Sequence, residues 1–156
     1  DIRAVEKGHY DAIFNVLGWE AYQGSEDFGQ VVQISFDDIE VTPHHAYFLC
    51  VEESYLREHG DTVRSFLQAT GKGYDFARDN QDETIQLIAS TMCASEEDTL
   101  KASLAFMAPT WHAPSGQWGQ MDEGVIRSYT QWMVDNGFTT ATMDDIDGAW
   151  TNDYLQ

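Results

Sequence analysis

The feature that most constrains this chain is a change of hydrophobic period near residue 52. Before it, apolar residues come in short runs: "YDAIFNV" at 10–16, "QVVQISF" at 30–36 and "HHAYFLCV" at 44–51. Short apolar runs with β-branched and aromatic residues predict strands. After it, apolar residues recur at helical spacing. A short helix is expected over "EESYLREHG", ending near Gly60. Val63, Phe66, Leu67, Tyr74 and Ala77 then share one helical face, with Gly71 and Gly73 weakening its middle. Asn80 and Glu83 have capping-box spacing before the stripe Ile85, Ile88, Ala89 and Met92. Ser95 and Asp98 offer a looser cap for "TLKASLAFM". Met121, Val125, Tyr129, Trp132 and Met133 line a last helix, which Gly137 stops. The pattern predicts an α/β fold, a mixed sheet covered by helices. About three strands are visible, whereas such sheets ordinarily have five or so. Part of the fold is therefore expected elsewhere.

The opening "DIRAVEKG" reads as the tail of a helix, with Gly8 as its C′ stop. A helix starting at residue 1 without a cap leads us to expect a piece of a longer chain, and no signal segment is seen. The 156 residues are 42% hydrophobic and 13% aromatic, which is globular material. The formal net charge of -19 excludes nucleic acid and anionic lipid as natural partners. Such acidity suits a salt-rich habitat or a secreted protein, and equally plain solubility. Cys50 and Cys93 form no disulfide framework, and two buried thiols are expected rather than one bridge. No run approaches the roughly 20 apolar residues of a membrane span.

At the end of the first predicted strand, Gly18 permits a tight turn that delivers Trp19 and Glu20 side by side. In doubly wound sheets ligands sit beyond strand C-terminal ends. Trp19 offers a flat stacking face and Glu20 a carboxylate, with Asn15 nearby. The plainer alternative is a core indole beside a solvated helix-start carboxylate. His44 and His45 are strand neighbours facing opposite ways, and Cys50 has no companion at ligand spacing, so no metal site is expected. One of the histidines, or Tyr47, can face a cleft; a satisfied structural histidine is the duller reading. The Trp-, Pro- and Gly-rich loop 108–121 reads as a connector anchored by Trp111 and Trp118, with a binding loop as alternative. "GKG" at 71–73 lacks a phosphate-loop pattern. "SEED" and "MDDID" mark helix starts and turns. Nothing resembles G-x-S-x-G or HExxH.

Taken in order, "KGHYDAIFNVLGWEAYQ", "AYFLCVEESYLREHGDTVRSFLQATGKGYDFARDNQDETIQLI", "WGQMDEGVIRSYTQWMVDNGF" and "IDGAWTNDYL" resemble the C-terminal half of a type 2 periplasmic substrate-binding protein. The branch is the NMT1-like one, which binds thiamine pyrimidine precursors for ABC transporters. The resemblance implies a portion of a two-lobed fold: residues 1–36 from the second lobe, 37–43 as a hinge crossing, and 44–156 as the C-terminal part of the first lobe. It implies a non-enzymatic, periplasmic or extracellular membrane-anchored receptor that closes on its solute by hinge bending. Its partners would be a small-molecule ligand, a membrane permease, and either the missing N-terminal half or a second copy; no cofactor is implied. Trp19, Glu20, Asn15 and Tyr47 become the substrate-binding candidates, with Glu20 accepting from the ring N–H and exocyclic amine of an aminopyrimidine. Riboflavin, a sulfonate or nitrate are alternative solutes, and a ligand-free sensory or scaffold module is the alternative class. Eukaryotic relatives that consume their own histidine use a cysteine-rich iron motif, which this chain lacks.

Overall fold

The computed structural model describes residues 4–5, 7–16, 18, 32, 34–91 and 97–155. Five helices lie within them: α1 (Glu53–Asp79), α2 (Gln81–Thr91), α3 (Glu97–Met107), α4 (Glu123–Asp135) and α5 (Met143–Asp147). Single 3₁₀ turns occupy Phe36–Ile39 and Ala108–Thr110. The chain divides into two compact units, one of residues 1–33 and 73–111, the other of 34–72 and 112–156. None of the described helices is long and apolar enough to cross a membrane.

The expected α/β sheet is not formed among the described residues. Among the described residues the predicted strands carry no ladder, and the β-type contact is an isolated bridge between His112 and Trp118. The reason is physical. Strand propensity measures fitness for a pleated, half-buried surface, and it becomes a strand only when a neighbour supplies the hydrogen bonds. Here Phe14, Val32 and Leu49 of those runs are 78%, 89% and 61% exposed. The architecture is helical.

The helices follow their sequence signals more closely. The break expected near Gly60 is a kink inside α1, where His59 leaves helical geometry at φ -129° and ψ 30°. Gly71 and Gly73 do not break the helix. Gly71 has a packing role, since a Cβ there would lie 3.2 Å from Trp118 Cε3. Asn80 does not cap α2 as its spacing suggested. Its side-chain amide and its N–H both donate back to the Phe76 carbonyl, at 3.0 and 2.8 Å, closing the end of α1.

Asp122 caps α4 by accepting from the Val125 N–H at 3.0 Å. At the other end Gly137 takes φ 72°, with Gly137 N–H donating to Val134 and Phe138 N–H to Met133. That is a Schellman stop, and the Phe138 ring packs 5.4 Å from Trp132 as its apolar contact. Gly8 is built the same way, at φ 69°, with bonds from Gly8 N–H to Val5 and from His9 N–H to Ala4.

The first unit is held by Ile85 of α2, Leu100 and Leu104 of α3, and Ala108, all buried, with Ile88 and Trp111 packed on them. Trp111 stands edge-on to Tyr74 at 4.8 Å. Trp118 lies against Gly71 in the second unit, so the loop 108–121 is a connector anchored by its two indoles. Its tip is a tight turn at Gly116, φ 84°, closed by Gly116 N–H to Ala113 and Ala113 N–H to Gln117.

Candidate functional site

Trp19 and Glu20 lie outside the described residues. Gly18 is buried, its carbonyl accepts from the Ser103 hydroxyl of α3, and a Cβ on it would lie 2.2 Å from Met107 Sδ. A side chain there would require the Met107 thioether to move, so this residue has a packing role beside α3. Asn15, three residues earlier, is half-buried. Tyr47 belongs to the other unit and is 74% exposed.

Within the second unit the structure forms a cleft of about 870 Å³. One wall is the run Phe48, Leu49, Cys50 and Val51. The others come from Val63, Phe66 and Leu67 of α1, from Val125, Tyr129 and Met133 of α4, and from Trp150 and Tyr154. The size and apolar character match small-molecule clefts in general. Of the predicted stripes, Val63, Phe66 and Leu67 of α1 and Met121, Val125, Tyr129 and Met133 line the cleft, while Tyr74, Ala77 and Trp132 do not. Glu53 is the one acidic side chain among its lining residues.

His44 and His45 both contribute to this cleft, each through a structural task. His44 stacks on Tyr129 at 4.5 Å, and its Nδ1 lies 3.3 Å from the Thr42 carbonyl. It sits in a row of rings running Phe36, His44, Tyr129, Trp132, Phe138, with centroid spacings of 4.5 to 5.7 Å. His45 Nε2 accepts the N–H of Asp122, the residue that caps α4. The Tyr129–Trp132 spacing was visible in the sequence; the arrival of His44 and Phe36 on the same row was not, because it depends on the turn at 36–39.

The segment "TNDYL" closes this unit. The Asn152 amide accepts from Met121 N–H at 3.0 Å and donates to Met121 C=O at 2.9 Å. Arg64 donates to the Asp153 carbonyl and lies 4.7 Å over the Tyr154 ring, a cation–π contact. Tyr154 packs on Gly60, where a Cβ would stand 3.2 Å from its ring, and Leu155 on Gly119. The closing segment thus fastens α1 and the 117–121 loop around one end of the cleft.

A second, polar recess of about 350 Å³ holds Arg127 between Glu123 at 2.8 Å and Asp147 at 2.5 Å. The hydrogen bond that Arg127 donates to Glu123, then the one it donates to Asp147, holds the guanidinium even more firmly protonated than usual. The pairing ties α4 to α5 and uses the cation internally.

No curated protein matches the chain. A family model described as NMT1/THI5 like matches residues 1–84 of the 156, a span carrying the Trp19–Glu20 pair, both predicted histidine positions and the kinked helix α1. With more than half its length in that match, the chain belongs to the NMT1/THI5-like family, whose members are solute-binding proteins.

Proposed function

We propose that this chain is the solute-binding component of an ABC uptake transporter, and that its solute is a thiamine pyrimidine precursor or a similar heteroaromatic. The observation that carries the reading is the family match across residues 1–84, which includes the adjacent indole and carboxylate. Glu20 is assigned the paired donors of an aminopyrimidine, Trp19 the ring face, Asn15 an amide contact, and Tyr47 an aromatic contact. In this reading residues 37–43 are the crossing between lobes that close on the solute, and no covalent chemistry is performed. The receptor sits in the periplasm or, membrane-anchored, outside the cell, and hands its solute to a permease.

Titration calorimetry with an aminopyrimidine thiamine precursor tests this. Binding is expected, and Glu20→Gln is expected to weaken it by about 1.5–3 kcal/mol, the worth of a hydrogen bond to a charged group. Unchanged affinity in Glu20→Gln removes Glu20 from the site. Binding of riboflavin, a sulfonate or nitrate in place of the pyrimidine replaces the solute, and heat from none of them ends the receptor reading.

A further inference from the structure

The stop of α4 carries chemistry of its own. Of the four asparagines, at 15, 80, 136 and 152, only Asn136 is followed by glycine. The Gly137 nitrogen therefore has no neighbouring side chain to hinder its attack on the Asn136 amide carbon. Both residues are exposed, so water and solvent base reach them.

We propose that Asn136–Gly137 is a self-modification site, and that the folded stop restrains it. The Gly137 nitrogen bonds to Asn136 Cγ and the Cγ–Nδ2 bond breaks. The proton shed by Gly137 ends on the departing ammonia. Water then opens the succinimide at either carbonyl, which leaves aspartate or isoaspartate at 136. Three features of the folded chain oppose ring closure. Asn136 Nδ2 donates to the Trp132 carbonyl at 2.8 Å. The Gly137 N–H donates to the Val134 carbonyl at 3.0 Å. The Asn136 ψ of 2° must rotate before the nitrogen can reach Cγ. A near-attack geometry thus requires the last turn to open. The products cannot remake that turn. Aspartate has no donor for the Trp132 carbonyl and sets a carboxylate beside Asp135 at the negative pole of α4. Isoaspartate adds a methylene to the main chain, so the paired bonds to Val134 and Met133 lose their register. Phe138 then loses its seat on Trp132.

Peptide mapping by mass spectrometry tests this on the unmodified chain, incubated in mildly alkaline heavy-oxygen water with and without urea. In urea, Asn136 is expected to convert faster than Asn15, Asn80 and Asn152, taking up one solvent oxygen. Without urea its conversion is expected to be at least about tenfold slower, in proportion to the time the turn stands open. Phe138→Ala removes the ring from Trp132. It is expected to speed conversion in the folded chain and to leave the rate in urea unchanged. Helical circular dichroism establishes that this variant is folded. No preference for Asn136 in urea overturns the site, and equal rates with and without urea overturn its restraint by the stop, irrespective of the variant.

Discussion

Asn152 holds both main-chain groups of Met121, accepting at 3.0 Å and donating at 2.9 Å across 31 residues of sequence. The amide thereby acts as a one-residue strand partner for the segment that precedes the cap of α4. Both groups are partly buried, so loss of the side chain leaves a donor and an acceptor poorly solvated. Asn152→Ala is expected to destabilise the folded state by about 2 kcal/mol, from two hydrogen bonds of roughly 1 kcal/mol each. Asn152→Asp keeps the acceptor but sets a carboxylate against the Met121 carbonyl, and is expected to be no better than alanine. Urea unfolding of the three proteins checks the order.

Thr84 is buried at 8% exposure in the first unit, and its hydroxyl has no hydrogen-bond partner among the described residues. A buried hydroxyl without a partner carries a desolvation cost with no return. Thr84→Val keeps the branched shape and removes that cost. It is expected to raise the stability of the chain by about 0.5–1 kcal/mol, on the low side of the penalty for an unpaired polar group. A lower urea midpoint for the variant would count against this account of the site.

Gly18 approaches α3 so closely that a Cβ would meet Met107 Sδ at 2.2 Å. Gly18→Ala is therefore an overpacking substitution, with an expected cost of about 1–3 kcal/mol. The thioether is flexible and part of the cost comes from that one contact. The double variant Gly18→Ala with Met107→Ala is expected to cost less than the sum of the two single changes. A double-mutant cycle by chemical denaturation reads the coupling.

The helical part of this chain was legible because its determinants are local. The α4 stripe from Val125 to Met133 repeats within four residues, and the Gly8 and Gly137 stops act on their own last turns. The absence of a sheet among the described residues is not legible, for the opposite reason. "AYFLCV" encodes readiness to pair, and pairing requires a second segment that local pattern does not supply. The contacts that build the cleft were equally hidden: His45 meets Asp122 across 77 residues, and Asn152 meets Met121 across 31. Asn80 shows a smaller failure. Its spacing to Glu83 fits a start signal, yet the immediately preceding helix offers the Phe76 carbonyl at shorter reach. Of the candidate binding residues, the sequence marks Trp19 and Glu20 by their adjacency at Gly18, and Tyr47 only by its place in the third apolar run.

The two capping boxes give the chain a defined acid sensitivity. In α5, Thr142 donates both its hydroxyl and its N–H to the Asp145 carboxylate at 2.7 Å, while its hydroxyl oxygen accepts from Asp145 N–H. The hydroxyl bond first, then the backbone bond, holds Asp145 below the usual aspartate range. Ser35 and Asp38 repeat the arrangement at the 3₁₀ turn, the backbone bond contributing most. A carboxylate whose folded pKa is depressed adds stability above its unfolded pKa and loses it as pH falls through the folded value. The two caps are thus expected to hold from neutrality down to about pH 4 and to release below it. Thr142→Val deletes the hydroxyl bond. In that variant the Asp145 carboxyl carbon, followed by NMR, is expected to titrate at higher pH than in the parent, with Asp38 unmoved. Identical Asp145 titrations in the two proteins would show that the cap does not set its charge.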